Sequence, residues 1–207
     1  AEAIKTLPKD RYDRIIFLAP TRFSKFRGCS IPSVQTYVTP LGFVPVDCPA
    51  VRELDRNTLI ETRTVDYSSS AERVQLHERE NAIEGLLPYF QVHFGVFTII
   101  PIVVGDFVDY RGEVDENAMN AVADAIRPHL TATTLVVVAS NLTHFGNRFS
   151  FRPFRDNIIE NIDALDRTAM DLIVNRDVAG FLEYLKATKN TIDGKNAIVI
   201  MMKLLPP

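Results

Sequence analysis

Cysteine, glycine and long hydrophobic runs are scarce in these 207 residues, and tryptophan is absent. The two cysteines, Cys29 and Cys48, are too few for a disulfide framework or a cysteine-rich zinc site. With only 9 glycines and 12 prolines in a chain that is 46% hydrophobic, collagen-like and disordered classes are excluded. No apolar run approaches the roughly 18 residues of a membrane-spanning helix, so we expect no direct membrane insertion.

The charges are close to balanced, with 23 Lys and Arg against 26 Asp and Glu and a net charge of −3. This balance lacks the positive excess of a nucleic-acid-binding protein, although burial inside a ribonucleoprotein stays open. The N-terminus has no apolar secretion signal, which together with the few cysteines predicts an intracellular protein. We expect it in the cytoplasm or, alternatively, in mitochondria, because a missing initial Met is compatible with a removed transit peptide.

Short apolar runs alternate with segments of helical periodicity. The predicted strands are Arg14–Ala19, Val34–Val38, Phe43–Val46, Val96–Val104 and a buried Leu135–Ala139. The predicted helices are Ala50–Leu59, Asn81–Leu87, Glu116–Leu130 with Asp115 as its cap, Arg155–Val174, Val178–Ala187 and Asn196–Leu205. Pro101 favours a strand end or an edge position, and Pro88 lies near the end of the helical stretch that includes Asn81–Leu87. The alternation predicts one α/β domain over residues 1–207, with a mostly parallel or mixed sheet covered by helices on both faces.

Ligands of open α/β sheets bind beyond the carboxyl ends of the strands. Two loops qualify by position, Pro20–Phe23 and Ser140–Gly146, and a third segment, Glu80–Glu84, lies near a predicted helix start. His144 is the leading catalytic candidate, because a histidine in a polar loop after a strand suits a general base or a metal ligand. The alternative is a structural histidine bonded to a backbone carbonyl. The other histidines are expected at the surface: His77, His93 and His129.

Two groups of charged side chains are further candidates. Glu80 and Glu84 are four residues apart and would share one helical face, for which a solvated surface is the alternative reading. A basic cluster near two phenylalanines could form an anion site, and ordinary surface charge is its alternative. Its members are Arg22, Lys25, Arg27, Arg148, Arg152 and Arg155.

The chain resembles the Memo family, also called AmmeMemoRadiSam system protein B, which is related to class III extradiol dioxygenases. The similar stretches are RIIFLAPTRFSKFRGCSIPSVQTYVTPLGFVPVD, ENAIEGLLPYF, FTIIPIVVG, LVVVASNLTHFGNRFSF and NTIDGKNAI, which occur in family order between Ala1 and Leu205. The resemblance implies an α/β sandwich around a mixed sheet. In metal-binding relatives it also implies a pocket that holds the metal through two histidines and a third side chain.

The chain departs from the family at the metal-binding positions. The A-P-H-A-G segment with the first histidine would precede Ala1, and the third ligand would follow Pro207, so the resemblance implies a domain without the family's N-terminal strand segment and C-terminal segment. In the loop that the family writes G-P-S-H-H, Arg22 stands where a histidine ligand is expected. A guanidinium has no lone pair to offer, so we expect no metal and no other cofactor.

Neighbouring motifs also differ from the family at side chains that could bind a metal. The family's E-H-S-I-E-M-H-L-P-Y reads Glu80–Tyr89 here, and the late C-G-R-H-P reads Asp193–Ala197. In the S-D-x-x-H-x-G loop, the aspartate has become an amide. The resemblance implies ligand- or anion-binding roles for Arg22, Asn81, Asn141 and Arg148, and a residual catalytic pair of His144 and Glu84.

A retained fold with lost metal ligands predicts a pseudoenzyme that acts as a binding or structural subunit of an assembly. If strands are missing, the sheet exposes an edge, which we expect a protein partner or a second copy to cover. One alternative is a residual enzyme, metal-independent or metal-dependent and dioxygenase-like, with His144, Glu84 and Arg22 in one pocket. Another is anion or phosphopeptide binding at Arg22. The favoured arrangement pairs Arg22 with Glu84, so that bulky apolar neighbours close the pocket.

Overall fold

A computed structural model of the chain describes residues 2–66 and 73–205. The strands of this part are β1 (Arg14–Pro20), β2 (Cys29–Ile31), β3 (Thr36–Thr39), β4 (Gly42–Pro45), β5 (Ile60–Thr62), β6 (Thr64–Asp66), β7 (Arg73–Gln75), β8 (Thr98–Val104) and β9 (Thr134–Val138). The helices are α1 (Glu2–Lys5), α2 (Cys48–Leu54), α3 (Leu76–Arg79), α4 (Leu87–Phe94), α5 (Glu116–Ile126), α6 (Ile158–Val174), α7 (Val178–Thr188) and α8 (Lys195–Leu204). None of these helices is long and apolar enough to cross a membrane.

A five-stranded sheet in the order β5-β2-β8-β1-β9 forms the centre of the fold. β1 runs parallel to both of its neighbours, whereas β2 is antiparallel to β8. β1 and β8 are continuous apolar runs with buried side chains on both faces, which is typical of parallel strands covered on both sides. On α4, Phe90 packs edge-on against Phe17 of β1 with ring centres 5.4 Å apart, and α8 packs on β1 and β9. The predicted mixed sheet flanked by helices is confirmed.

Pro101 lies in a central strand, so the predicted edge position of its strand is wrong. β8 has β1 on one side and β2 on the other. On the β2 side, Asp47 N donates to Ile99 O at 2.8 Å, and β2 pairs only with the last two residues of β8. The backbone N–H and C=O positions of odd-numbered β8 residues therefore point to this side. Pro101 lies between the two contacts, where no residue of β2 pairs with it. A residue without an N–H is accommodated there because no ladder bond is needed.

Helix α4 begins at Leu87, and the predicted helix over Asn81–Leu87 is wrong. Residues 82–86 form turns, with Gly85 N donating to Asn81 O at 3.0 Å. Pro88 stands in the first turn of α4, where the missing N–H costs nothing, so it starts this helix and does not end the preceding one. Glu80 and Glu84 consequently share no helical face.

The other long elements lie close to their predicted positions. β3 and β4 form an antiparallel hairpin in which Thr39 pairs with Gly42. The Asp115 side chain accepts a hydrogen bond from Ala118 N and caps α5, as predicted. β9 differs in burial, because it lies at the edge of the sheet and all five of its residues are only half-buried.

His77 and His129 are buried, with 8% and 7% of their surface exposed, so their predicted surface positions are wrong. The His77 ring bridges two segments: Nε2 donates to Ser30 O at 2.9 Å, and Nδ1 accepts from the Tyr37 hydroxyl at 2.8 Å. Burial lowers the pKa of His77 to about 4, and the hydrogen bond to Ser30 opposes this shift. A neutral histidine thus joins β2, β3 and α3.

We predict that His77 makes the protein less stable as the pH falls from 6.5 towards 4. Its folded-state pKa is lowered to about 4 from 6.5, so the unfolded chain binds the proton first and gains stability relative to the fold. The expected loss is about 2 kcal/mol of unfolding free energy between pH 7 and pH 5. Urea unfolding at both pH values measures it. His77→Gln should remove this part of the pH dependence, whereas the control His93→Gln should keep it, and equal slopes in both variants would contradict the assignment.

Candidate functional site

A cleft of about 810 Å³ opens at the carboxyl ends of β1 and β9. Because the two strands are parallel, the loops that follow them leave the sheet at the same edge. The turn after α3 closes a third side. The lining residues are Arg22, Pro40, Asn81, Ala82, Glu84, Gly85, Leu86, Pro88, Val138, Ala139, Ser140 and Asn141. All three segments singled out from the sequence therefore contribute to one cleft.

The loop that carries Arg22 is anchored by Glu80, a buried side chain with 5% of its surface exposed. Its Oε1 accepts hydrogen bonds from Arg22 N at 2.9 Å and Phe23 N at 3.2 Å. The Thr21 hydroxyl lies 2.9 Å from the same oxygen. These donors replace the water that Oε1 loses on burial, whereas Oε2 is buried without a hydrogen-bond partner among the described residues. Sequence reasoning missed this anchoring role because it placed Glu80 on a solvated helix face.

Arg22 forms an ion pair with Asp193, and the predicted pair with Glu84 is wrong. Arg22 Nη2 lies 3.0 Å from Asp193 Oδ2, and the two side chains are only 34% and 21% exposed. The cleft beside this pair remains open, so the predicted closure of the pocket is wrong as well. The reason is that other donors hold the Asp193 carboxylate in front of Arg22, whereas Glu84 projects from an exposed turn.

Asp193 ties the loop before α8 to the loop after β9. Its Oδ1 accepts from Asn141 N at 2.8 Å and from the Ser140 hydroxyl at 3.2 Å, and its Oδ2 accepts from Asn141 Nδ2 at 3.3 Å. The next residue, Gly194, approaches so closely that a Cβ there would lie 2.5 Å from Ser140 Cβ. Residue-level reasoning did not single out Asp193, although the NTIDGKNAI stretch that contains it was part of the family resemblance.

His144 and Arg148 lie in the loop after β9, but neither is among the described residues that line the cleft. His144 Nδ1 donates to Thr191 O at 2.9 Å, and its backbone N donates to the Thr191 hydroxyl at 2.8 Å. The ring also packs on Phe149 at 4.7 Å, which is the structural arrangement named as its alternative role. Arg148 is exposed, with its guanidinium 5.9 Å from the Phe149 ring centre. The structure therefore brings Arg22, Asn81, Asn141 and Glu84 together without these two.

The donor set around the cleft does not suit the metal ion that the family resemblance implies. Arg22 offers no lone pair, and both oxygens of Asp193 are engaged. Cys29 is fully buried, and its burial raises the pKa of the thiol, which disfavours the thiolate that binds metals. Across residues 2–66 and 73–205, no group of three or more His, Cys, Asp and Glu side chains is arranged to hold a metal ion.

Comparison with known proteins relates the chain to one family along its whole length. Residues 1–206 match the family described as Memo-like protein. The chain is 32% identical over 209 residues to "Protein memo-1 homolog" of Caenorhabditis elegans, covering 98% of this chain and 55% of the relative. It is 29% identical over 213 residues to "Protein MEMO1" of Homo sapiens, covering 99% and 66% respectively. The chain thus spans between about half and two thirds of the length of these relatives.

We predict that Glu80→Ala destabilises the protein and loosens the Arg22 loop. Removal of a buried carboxyl group leaves the Arg22 and Phe23 amides without their acceptor, which costs about 2 kcal/mol of unfolding free energy. The matched control Glu84→Ala removes an exposed carboxylate and should change stability by less than about 0.5 kcal/mol. Chemical denaturation measures both values. Amide hydrogen exchange should quicken at Arg22 and Phe23 in Glu80→Ala only, and unchanged exchange there would refute the anchoring role.

Proposed function

Because the chain belongs to the Memo-like protein family, we propose that it works as a binding subunit of an assembly and carries out no metal-dependent chemistry with these residues. The proposal combines a retained family fold with a donor set that does not suit a metal. Two surfaces carry the binding in this proposal: the free edge of β9 and the open cleft.

The ion pair of Arg22 with Asp193 supports the loss of metal chemistry. At the position where the family resemblance expects a histidine ligand, the chain has a permanent positive charge. Asp193 neutralises this charge at 3.0 Å, so the pair replaces a cation and its ligand by two protein side chains. Catalysis by His144 with Glu84 gains no support from the geometry, because His144 is bonded to Thr191 and is not part of the cleft lining.

The edge strand β9 is the observation that carries the proposed assembly. It is a valine-rich strand, parallel to β1, and its five residues are all half-buried. Among the described residues, no strand pairs with its outer side. Parallel strands of this composition are normally covered on both sides, and an unpaired edge of this kind is a template for strand addition.

The backbone polarity of β9 identifies the groups that a partner strand would meet. Ala139 N donates to Leu18 O, so the backbone N–H and C=O groups of odd-numbered residues in this segment point to β1. The N–H and C=O groups of Val136 and Val138 therefore point to the free edge. Two copies could pair these edges antiparallel about a two-fold axis, which is the simplest closed arrangement. Alternatively, another chain could add its own strand.

α6 contacts the loop that follows β9 and has an apolar surface of its own. Asp166 of α6 accepts hydrogen bonds from the backbone and the hydroxyl of Thr143, in the loop that follows β9. The same helix exposes 79% of Ile159, 51% of Met170 and 75% of Val174. Exposed apolar side chains on this helix favour a protein partner over solvent.

We predict that the purified chain has a mass well above 23.3 kDa in light scattering and that Val136→Pro reduces it to that of one chain. Proline removes the N–H that faces the free edge and leaves the ladder with β1 intact. The matched control Val136→Thr keeps this N–H and should keep the higher mass. A wild-type mass of 23.3 kDa at every concentration tested would refute the pairing of two copies.

A further inference from the structure

We propose that the cleft binds an alkylammonium group through Glu84 and does not bind an anion at Arg22. The inference depends on the cleft being a ligand-binding surface, as in the proposed function, and adds the charge class of its ligand. Two side chains decide the sign of the charge there, because Arg22 and Glu84 are the only charged residues among the described ones that line the cleft.

The positive charge of Arg22 is already neutralised within the protein. Its guanidinium lies 3.0 Å from Asp193, and Asp193 is held by further hydrogen bonds from Asn141 and Ser140. An anionic ligand would have to compete with this fixed carboxylate and would meet its negative charge. The pair contributes little net charge to the cleft, so Arg22 is a poor anchor for phosphate or carboxylate.

Glu84 is the unbalanced charge of the cleft. It is exposed on the turn before α4 and makes no ion pair within residues 2–66 and 73–205. Its field extends over neighbouring groups: burial raises the pKa of Tyr37, and the Glu84 carboxylate raises that pKa further. Apolar walls around an unpaired carboxylate focus its field into the cleft, which favours a cation. These walls include Leu86 and Val138.

Asn141 adds a neutral acceptor to the lining of the cleft. Its Nδ2 donates to Asp193 Oδ2 at 3.3 Å, so the remaining polar atom of the side chain is the acceptor Oδ1. An ammonium group has three donors and no acceptor, which matches a carboxylate combined with amide oxygens. The apolar walls suit the methylene groups next to the nitrogen. A primary amine, free or at the end of a lysine side chain, has this chemistry.

The test follows amide signals of the isotope-labelled chain by NMR during titration at constant ionic strength. The probes are n-butylammonium chloride, 1-butanol as its neutral match, and sodium butyrate and inorganic phosphate as anions. We expect saturable shifts at Asn81, Gly85 and Asn141 with n-butylammonium only. Glu84→Gln should weaken this binding about tenfold, as expected for the loss of a charge-assisted hydrogen bond. Glu78→Gln, which removes an exposed carboxylate outside the cleft lining, should leave it unchanged.

A second variant tests the neutralisation of Arg22 directly. Asp193→Asn removes the counter-charge, so phosphate or butyrate should then shift the cleft signals, which they do not shift in the wild type. The inference is overturned if phosphate binds the wild-type cleft, if n-butylammonium binds equally well to Glu84→Gln, or if no probe binds. An N-acetyl-lysine methylamide titration separates a lysine side chain from a free amine. These outcomes do not depend on the mass measured for the purified chain. A monomeric chain with Glu84-dependent binding therefore refutes the pairing of two copies and leaves the ammonium site standing.

Discussion

The burial of β1 is the constraint on which the rest of the structure depends. This strand is apolar and buried from Ile15 to Pro20. It pairs in parallel with β8 over its whole length and with β9 from Arg14 to Leu18. Two parallel neighbours place three carboxyl ends at one edge of the sheet, and the cleft lies there for that reason. The same arrangement leaves β9 as the outer strand, with its far side unpaired among the described residues. The cleft and the open edge are thus two consequences of one pairing.

The cleft shows how the fold accommodates the positive charge of Arg22. The Arg22 side chain is 34% exposed, and a carboxylate held in place by several donors balances its charge. Asp193 supplies the carboxylate, Asn141 and Ser140 hold it, and Gly194 permits the close approach. Glu80 fixes the backbone on the other side of the guanidinium. With Arg22 neutralised in this way, the chemistry left to the cleft is that of Glu84 and the neighbouring amides.

Pro88 and Pro101 show where prediction from the local sequence pattern fails. The rule that proline lacks a donor holds at both positions, but its consequence depends on neighbours that lie far away in the chain. Pro101 is accommodated in a central strand because Val46 and β2 leave a gap opposite it. Pro88 lies in the first turn of a helix because the chain turns over residues 82–86 and α4 begins only at Leu87. The prediction of one helical face for Glu80 and Glu84 concealed the anchoring role of Glu80.

The sequence by itself determined the family, the alternation of strands and helices, and the three segments that form the cleft, because apolar periodicity and short motifs are local properties. The tertiary structure alone decided which carboxylate neutralises Arg22, since its partner is 171 residues away and competes with a nearer candidate. It also decided that His77 is buried between Ser30 and Tyr37 and that β9 lies at an edge. Burial and ion pairing depend on which surfaces meet after folding, and no spacing along the chain records that.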